Sequence, residues 1–164
     1  MGSASLVATA IALVLLIITA YVVVGGILAT SDIVSMSQTE RFRFQEQRMH
    51  TSIDISDIRV SNETHSVDVI LYNNGNEKVS QFKYVDIYMI YHPGTQPILI
   101  PYSDTSGKDN TWYASQITPD IVHPKELDPG ETMTMTVSYA AGVTPLWIKV
   151  ATPNGVYDSA YVNI

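Results

Sequence analysis

The residues of this chain best suited to hold a metal or move a proton are four histidines, His50, His65, His92 and His123. No two of them stand at i,i+4 and no His-Glu-x-x-His occurs, so a zinc centre has no frame, and loop histidines are the expected reading. There is no cysteine, which removes disulfides, thiolate zinc sites and iron–sulfur clusters together. Gly-x-Ser-x-Gly, Gly-x-x-x-x-Gly-Lys-Ser/Thr and Gly-x-Gly-x-x-Gly are all missing, so nothing activates a serine or cradles a phosphate. Asp104, Asp109 and Asn110 flank Gly107 in a polar loop whose oxygens suit Ca²⁺, but they depart from the Asp-x-Asp-x-Asp-Gly pattern, and a solvated turn is expected. Asn62-Glu63-Thr64 is an acceptor sequence for N-glycosylation between two strands, making Asn62 a candidate modification site. These residue types predict a protein that is not an enzyme, with no catalytic residues, no metal and no cofactor.

Charge narrows the partners. Lys and Arg number 9 against 16 Asp and Glu, with no basic run, so nucleic acid is not an expected partner. Charged residues make up 15% of the chain, below the roughly 25% of an ordinary globular protein. The shortfall sits in one place, since Asp32 is the first charged side chain after the amino terminus. From Ala4 to Ala29 the sequence is almost wholly apolar and longer than the roughly 20 residues that cross a bilayer. Its length and the Met-Gly-Ser ahead of it predict a retained membrane helix rather than a cleaved signal, whose apolar core would be about 7–15 residues behind basic residues.

Ala4, Ala8 and Ala12 recur every fourth residue and form a small-residue stripe, a candidate helix–helix packing face. An ordinary alanine content of membrane helices accounts for the stripe equally well. Gly25-Gly26 is a candidate kink. No glycine or proline follows until Gly75, and Gln38–Met49 is rich in helix formers, so the helix is expected to reach about His50, roughly 70 Å along. Arg41, Arg43 and Arg48 are offset by Glu40 and Glu46, which leaves orientation unsettled by charge.

Beyond Thr51 the period becomes two. Ile53–Ile55, Val67–Tyr72, Met133–Tyr139 and Leu146–Val150 read as strands, separated by the turn sequences Asn73-Asn74-Gly75-Asn76, His92-Pro93-Gly94, Asp128-Pro129-Gly130 and Pro153-Asn154-Gly155. About seven strands are expected, in an all-β, Ig-like sandwich of two antiparallel sheets. The segment Val79–Tyr91 reads as one strand with Val85, Ile87, Met89 and Tyr91 on one face and Tyr84, Asp86, Tyr88 and Ile90 on the other. Either it is central and covered on both sides, or Tyr84, Tyr88 and Ile90 form a protein interface, tyrosine giving contact area at low entropic cost. The segment Ile98–Pro124 reads as looser chain. The organisation is thus 1–31 membrane or filament-core helix, 32–52 helical neck, and 53–164 sandwich.

This order of parts resembles the archaellin and archaeal type IV pilin-like superfamily, with its lollipop architecture, and within it the archaellum accessory protein F family (FlaF/ArlF). The likeness rests on Met1-Gly2-Ser3 leading into the helix, Gln45–Ile53 entering the first strand, Asn73-Asn74-Gly75-Asn76, Leu127–Thr132 and Ile148–Val156, and it extends over nearly the whole chain. It implies a non-enzymatic component of archaeal motility, in the cell envelope. A single membrane helix would carry an extracellular (pseudoperiplasmic) domain that binds an S-layer partner or other archaellum subunits. A filament-forming archaellin or pilin-like subunit, self-associating through its helix in an extracellular filament, shares the plan and stays open as the alternative. The absence of a Lys/Arg-Gly site ahead of the helix and of a Glu near its start implies the accessory protein.

Overall fold

A computed structural model of the chain describes residues 2–106 and 108–163, the side chains of Ala4 and Ser5 excepted. Two compact units make up the chain, Met1–Phe44 and Gln45–Ile164. A single helix, α1, covers Gly2–His50, and it is long and apolar enough to cross a membrane. In hydrocarbon each polar group must find a partner within the protein. The two threonines of the apolar tract and Thr30 just beyond it do so locally: Thr9 Oγ1 donates to the Leu6 carbonyl, Thr19 to those of Leu15 and Leu16, and Thr30 to that of Gly26. The helix runs unbroken through Gly25-Gly26. Ala8 and Ala12 lie one helical turn apart and exposed, while the side chain of Ala4 lies outside the described residues.

Among the described residues eight strands follow: β1 (Ile53–Ser61), β2 (Ser66–Asn73), β3 (Asp86–His92), β4 (Ile98–Ile100), β5 (Thr111–Thr118), β6 (Thr132–Ser138), β7 (Thr144–Ala151) and β8 (Tyr157–Tyr161). They form two four-stranded antiparallel sheets in the orders β1-β2-β6-β5 and β4-β3-β7-β8. The alternation of β2, β3, β6 and, from Trp147 onward, β7 turns every second side chain inward. Val67, Val69, Leu71, Ile87, Met89, Met133, Met135, Val137, Ile148 and Val150 are fully buried between the sheets, with Trp112 from β5. At one side the sheets are tied by the Ile55 N–H, which donates to Asp158 Oδ2 at 2.8 Å.

The structure corrects the strand expectation in two places. Val79–Tyr91 is not one strand. Val79 exchanges two 2.9 Å hydrogen bonds with Leu127, Gln81 turns left-handed (φ 57°), Phe82–Tyr84 make a single 3-10 turn, and β3 begins at Asp86. Pairing with Leu127 pulls Val79 out of line with β3, which an alternation pattern does not register. The looser region contains β4 and β5, raising the number of strands to eight; β4 is three residues long and closed in by Pro97 and Pro101, too short for periodicity to show.

Candidate interaction surface

The outward faces of the two sheets differ in chemistry. On the β1-β2-β6-β5 sheet, β6 presents Thr132, Thr134, Thr136 and Ser138, next to Ser66 and Asp68 of β2. Thr136 Oγ1 donates to Asp68 Oδ1 at 2.6 Å, and Ile70, Tyr72 and Tyr113 share this hydroxyl-rich face. The β4-β3-β7-β8 sheet is aromatic. Its register sets Leu99, Tyr88, Lys149 and Ser159 in one row, Ile90, Trp147 and Tyr161 in the next, and Asp86, Ala151 and Tyr157 in the row on the other side. Neighbours in a row stand within side-chain contact across the strands. Tyr161 is 77% exposed, Tyr157 58% and Leu99 50%. The Lys149 ammonium lies 3.7 Å from the centre of the Tyr157 ring, a cation–π contact that holds that ring.

Strand β8 carries this surface against the usual pattern. Its aromatics, Tyr157 and Tyr161, face out, while Asp158 and Ala160 turn toward the interior side. Exposed large apolar groups gathered into one patch are informative where scattered ones are not. Interface cores are rich in Tyr and Trp, and Tyr88, Trp147, Tyr157 and Tyr161 supply them here, with Asp86, Lys149 and Ser159 as polar neighbours.

Of the three interface residues expected from sequence, Tyr88 and Ile90 fall on this face, half-buried among their neighbours. Tyr84 does not share the strand; it sits in the 3-10 turn ahead of β3, 55% exposed, with the Lys83 ammonium 4.8 Å from its ring centre. Leu99, Trp147, Tyr157 and Tyr161 were not anticipated. Alternation in Leu146–Val150 points Trp147 and Lys149 to the same side, but which side is outward emerges only from the pairing with β3.

A second constellation is structural and lies within the sandwich unit, around the last turn of α1. The His50 carbonyl accepts from the N–H groups of Asn76 (2.7 Å) and Glu77 (3.2 Å), and the Ser52 carbonyl accepts from the Gly75 N–H at 3.0 Å. Thr51 Oγ1 donates to the Gln47 carbonyl at 2.7 Å and accepts from Asn154 Nδ2 at 2.6 Å. Asn73 is fully buried; its Nδ2 donates to the carbonyls of Glu77 and Leu127, and its main chain bonds those of Gly130 and Glu131. Three of the sequence motifs that carry the resemblance, Asn73–Asn76, Leu127–Thr132 and Ile148–Val156, therefore meet in one network at the helix end. Carbonyls left open at a helix terminus need such partners.

The Asp128-Pro129-Gly130-Glu131 turn is part of that network. Gly130 has φ +81°, the left-handed region that glycine enters freely. Asp128 is almost wholly buried; its Oδ2 accepts from the His123 N–H at 2.9 Å, and its Oδ1 lies 2.8 Å from His123 Nδ1. Burial alone would raise the Asp128 carboxyl. The hydrogen bonds from His123 and the charge of Lys78 outweigh it and hold the group below its ordinary value of 3.8. The folded state thus favours the carboxylate: this contribution to stability is complete at neutral pH and is lost as pH falls through the lowered value. Asp128→Asn is expected to lower the unfolding temperature at pH 7, with the gap to the unmodified chain shrinking as pH drops from about 5 to about 2, followed by thermal melts across that range.

The histidines stay apart. His50 ends α1, His65 lies at the β1–β2 turn with its ring 5.9 Å from that of Tyr139, His92 ends β3, and His123 pairs with Asp128. Among the described residues no three His, Asp or Glu side chains converge as a metal site would need. Of the polar loop, Asp104, Asp109 and Asn110 are exposed and Gly107 lies outside the described residues. Asn62 is exposed at the tip of the β1–β2 turn, where Thr64 Oγ1 bonds the hydroxyls of Ser61 and Ser66 at 2.7 and 2.8 Å.

No protein-family model matches the chain, and no curated protein matches it. Solved structures do. A chain of the archaellum periplasmic stator protein complex of FlaF and FlaG from Sulfolobus acidocaldarius superposes with a TM-score of 0.51 at 21% identity, over 67% of this chain and 87% of that one. The archaellum periplasmic stator protein FlaG from the same organism gives a TM-score of 0.51 at 20% identity, over 68% of this chain and 99% of that one. The sandwich therefore has the fold of the archaellum stator proteins.

Proposed function

We propose that this chain is a non-enzymatic, stator-type component of an archaellum, anchored in the membrane by α1 and gripping an envelope or S-layer partner with its sandwich. The observation that carries this reading is the aromatic outer face of the β4-β3-β7-β8 sheet on a fold shared with FlaF and FlaG. Tyr88 and Ile90 belong to the gripping surface, joined by Trp147, Tyr157 and Tyr161, and Tyr84 stands at its approach. The domain faces the outside of the cell, where Asn62 is available for glycosylation. Ala4, Ala8 and Ala12 serve as the face on which α1 meets another helix. Separating sheared surface filaments from membranes of the same cells, with mass analysis of each, tests the reading. The chain is expected in the membrane fraction; recovery as a building block of the filaments would make it an archaellin or pilin-like subunit.

A further inference from the structure

Strand β5 departs from a regular ladder. Its pairing with β6 shifts between Ala114 and Gln116, a bulge whose extra residue, Ser115, donates its hydroxyl to the Thr134 carbonyl at 2.9 Å. Bulges re-aim side chains and interrupt the even spacing of main-chain groups along an edge. Ala114, Ser115, Gln116 and Ile117 all line one groove, although a regular strand gives successive residues to opposite faces. The groove has a volume of about 720 Å³ and is lined also by Phe82, Tyr102, Asp104, Asp120 and Lys125. It draws aromatic rings, carboxylates, an amide and an ammonium from separate segments into one place.

Its apolar part is held in place. Phe82 and Tyr102 are half-buried, and the Tyr102 ring stands edge-on to the fully buried Trp112, their centres 4.9 Å apart. Trp112 also holds the Tyr102 segment by main chain, its N–H donating to the Pro101 carbonyl at 3.0 Å and its carbonyl accepting from the Ser103 N–H at 2.8 Å. Gln81 (φ 57°), which leads into Phe82, and Lys125 (φ 69°) both hold left-handed backbone without being glycine, strain of a kind that gathers at ligand sites. The polar part is mixed. Asp120 Oδ1 accepts from the Lys125 N–H at 3.0 Å, and Gln116 Nε2 donates to Thr118 Oγ1 at 3.2 Å. Among the described residues the Lys125 ammonium has no ion-pair partner.

We propose that this groove binds a neutral oligosaccharide, whose C–H faces stack on Phe82 and Tyr102 and whose hydroxyls bond Asp104, Gln116, Asp120 and Lys125. A ring face is negative and attracts polarised C–H groups. A hydroxyl both donates and accepts, so it meets carboxylates that only accept, an ammonium that only donates and an amide that does both. Two carboxylates against one ammonium give no strong preference for an ion of either sign. An added strand of a partner protein would need the even main-chain spacing that the bulge removes, which leaves recognition to side chains. The volume falls within the roughly 300–1,000 Å³ of small-molecule sites. The groove lies beside β5 and the end of β4, while Tyr157 and Tyr161 stand on β8 at the far edge of the second sheet, so it stands or falls independently of the proposed function.

The test uses the full chain in phosphocholine micelles, which carry no sugar, with fluorescein-labelled maltohexaose, mannohexaose and N-acetylchitohexaose followed by anisotropy. Saturable binding of at least one is expected. Phe82→Leu keeps an apolar side chain but removes the ring, and Gln116→Ala removes an exposed amide; each should weaken binding about fivefold with the thermal melt of the sandwich unchanged. Raising salt from about 0.1 M to about 1 M, which shortens screening from about 10 Å to about 3 Å, should leave the affinity of a neutral ligand unaltered. No saturable binding of any of the three sugars overturns the proposal, as does binding that both variants retain in full. Loss of binding at high salt also overturns it, by assigning the groove to a charged ligand.

Discussion

Replacing Trp147, Tyr157 and Tyr161 together by alanine is expected to leave the sandwich folded and to abolish most of the envelope binding proposed for it. All three side chains lie on the outward face of the β7–β8 hairpin, and the fully buried core beneath, Ile148 and Val150 included, is untouched. Truncation therefore opens no internal cavity, the usual source of large core penalties. At an interface the same residues carry disproportionate energy: one Trp or Tyr hot spot costs about 2 kcal/mol or more, and about 1.4 kcal/mol is tenfold in affinity. Co-sedimentation of the purified full chain with isolated S-layer sheets should show binding at least about 30-fold weaker for the triple variant. Substitution of Thr134 and Thr136 on the opposite sheet should leave it unchanged.

Gly75→Ala is the second large effect, and it acts on stability. A Cβ at this position would meet the Ser52 nitrogen, and it would lie 2.7 Å from the His50 carbonyl oxygen, both of them main chain. Main chain cannot swing aside as a side-chain tip can. The turn would have to withdraw, breaking the 3.0 Å bond from the Gly75 N–H to the Ser52 carbonyl and disturbing those that reach His50. Overpacking with backbone displacement costs about 1–3 kcal/mol, and a lost hydrogen bond adds about 1 kcal/mol. The unfolding temperature of the sandwich should fall by about 10 °C, read by thermal melting. Gly142→Ala, where the added Cβ meets nothing within 4 Å but φ is +86°, separates conformational strain from collision and should cost less.

These two predictions mark what could be read from residue order and what could not. The membrane-length helix follows from composition alone, because an uncharged tract ending at Asp32 needs no tertiary context to be recognised. Strands β2, β3 and β6 follow from alternation, since each has one face buried and one not. Strand β8 breaks that logic: its large residues face out and its aspartate faces in, so a pattern that equates apolar with buried passes over it. The aromatic face is a product of register. Trp147 and Tyr161 adjoin only because the β7–β8 hairpin places them opposite each other, and Ile90 joins them only through β3. Counting in twos across Val79–Tyr91 puts Tyr84 on that face, and the 3-10 turn at Phe82–Tyr84 interrupts the count. The motifs Asn73–Asn76 and Asp128–Glu131 were visible as turns, but their convergence on Asn73 and His50 depends on contacts between distant segments.

Swimming by cells whose only copy of this protein carries Trp147→Ala, Tyr157→Ala and Tyr161→Ala tests the central claim most directly. The account predicts a normal amount of the chain in the membrane, assembled surface filaments, and swimming reduced to a small residue of the normal rate. Undiminished swimming with the variant present in the membrane would contradict it.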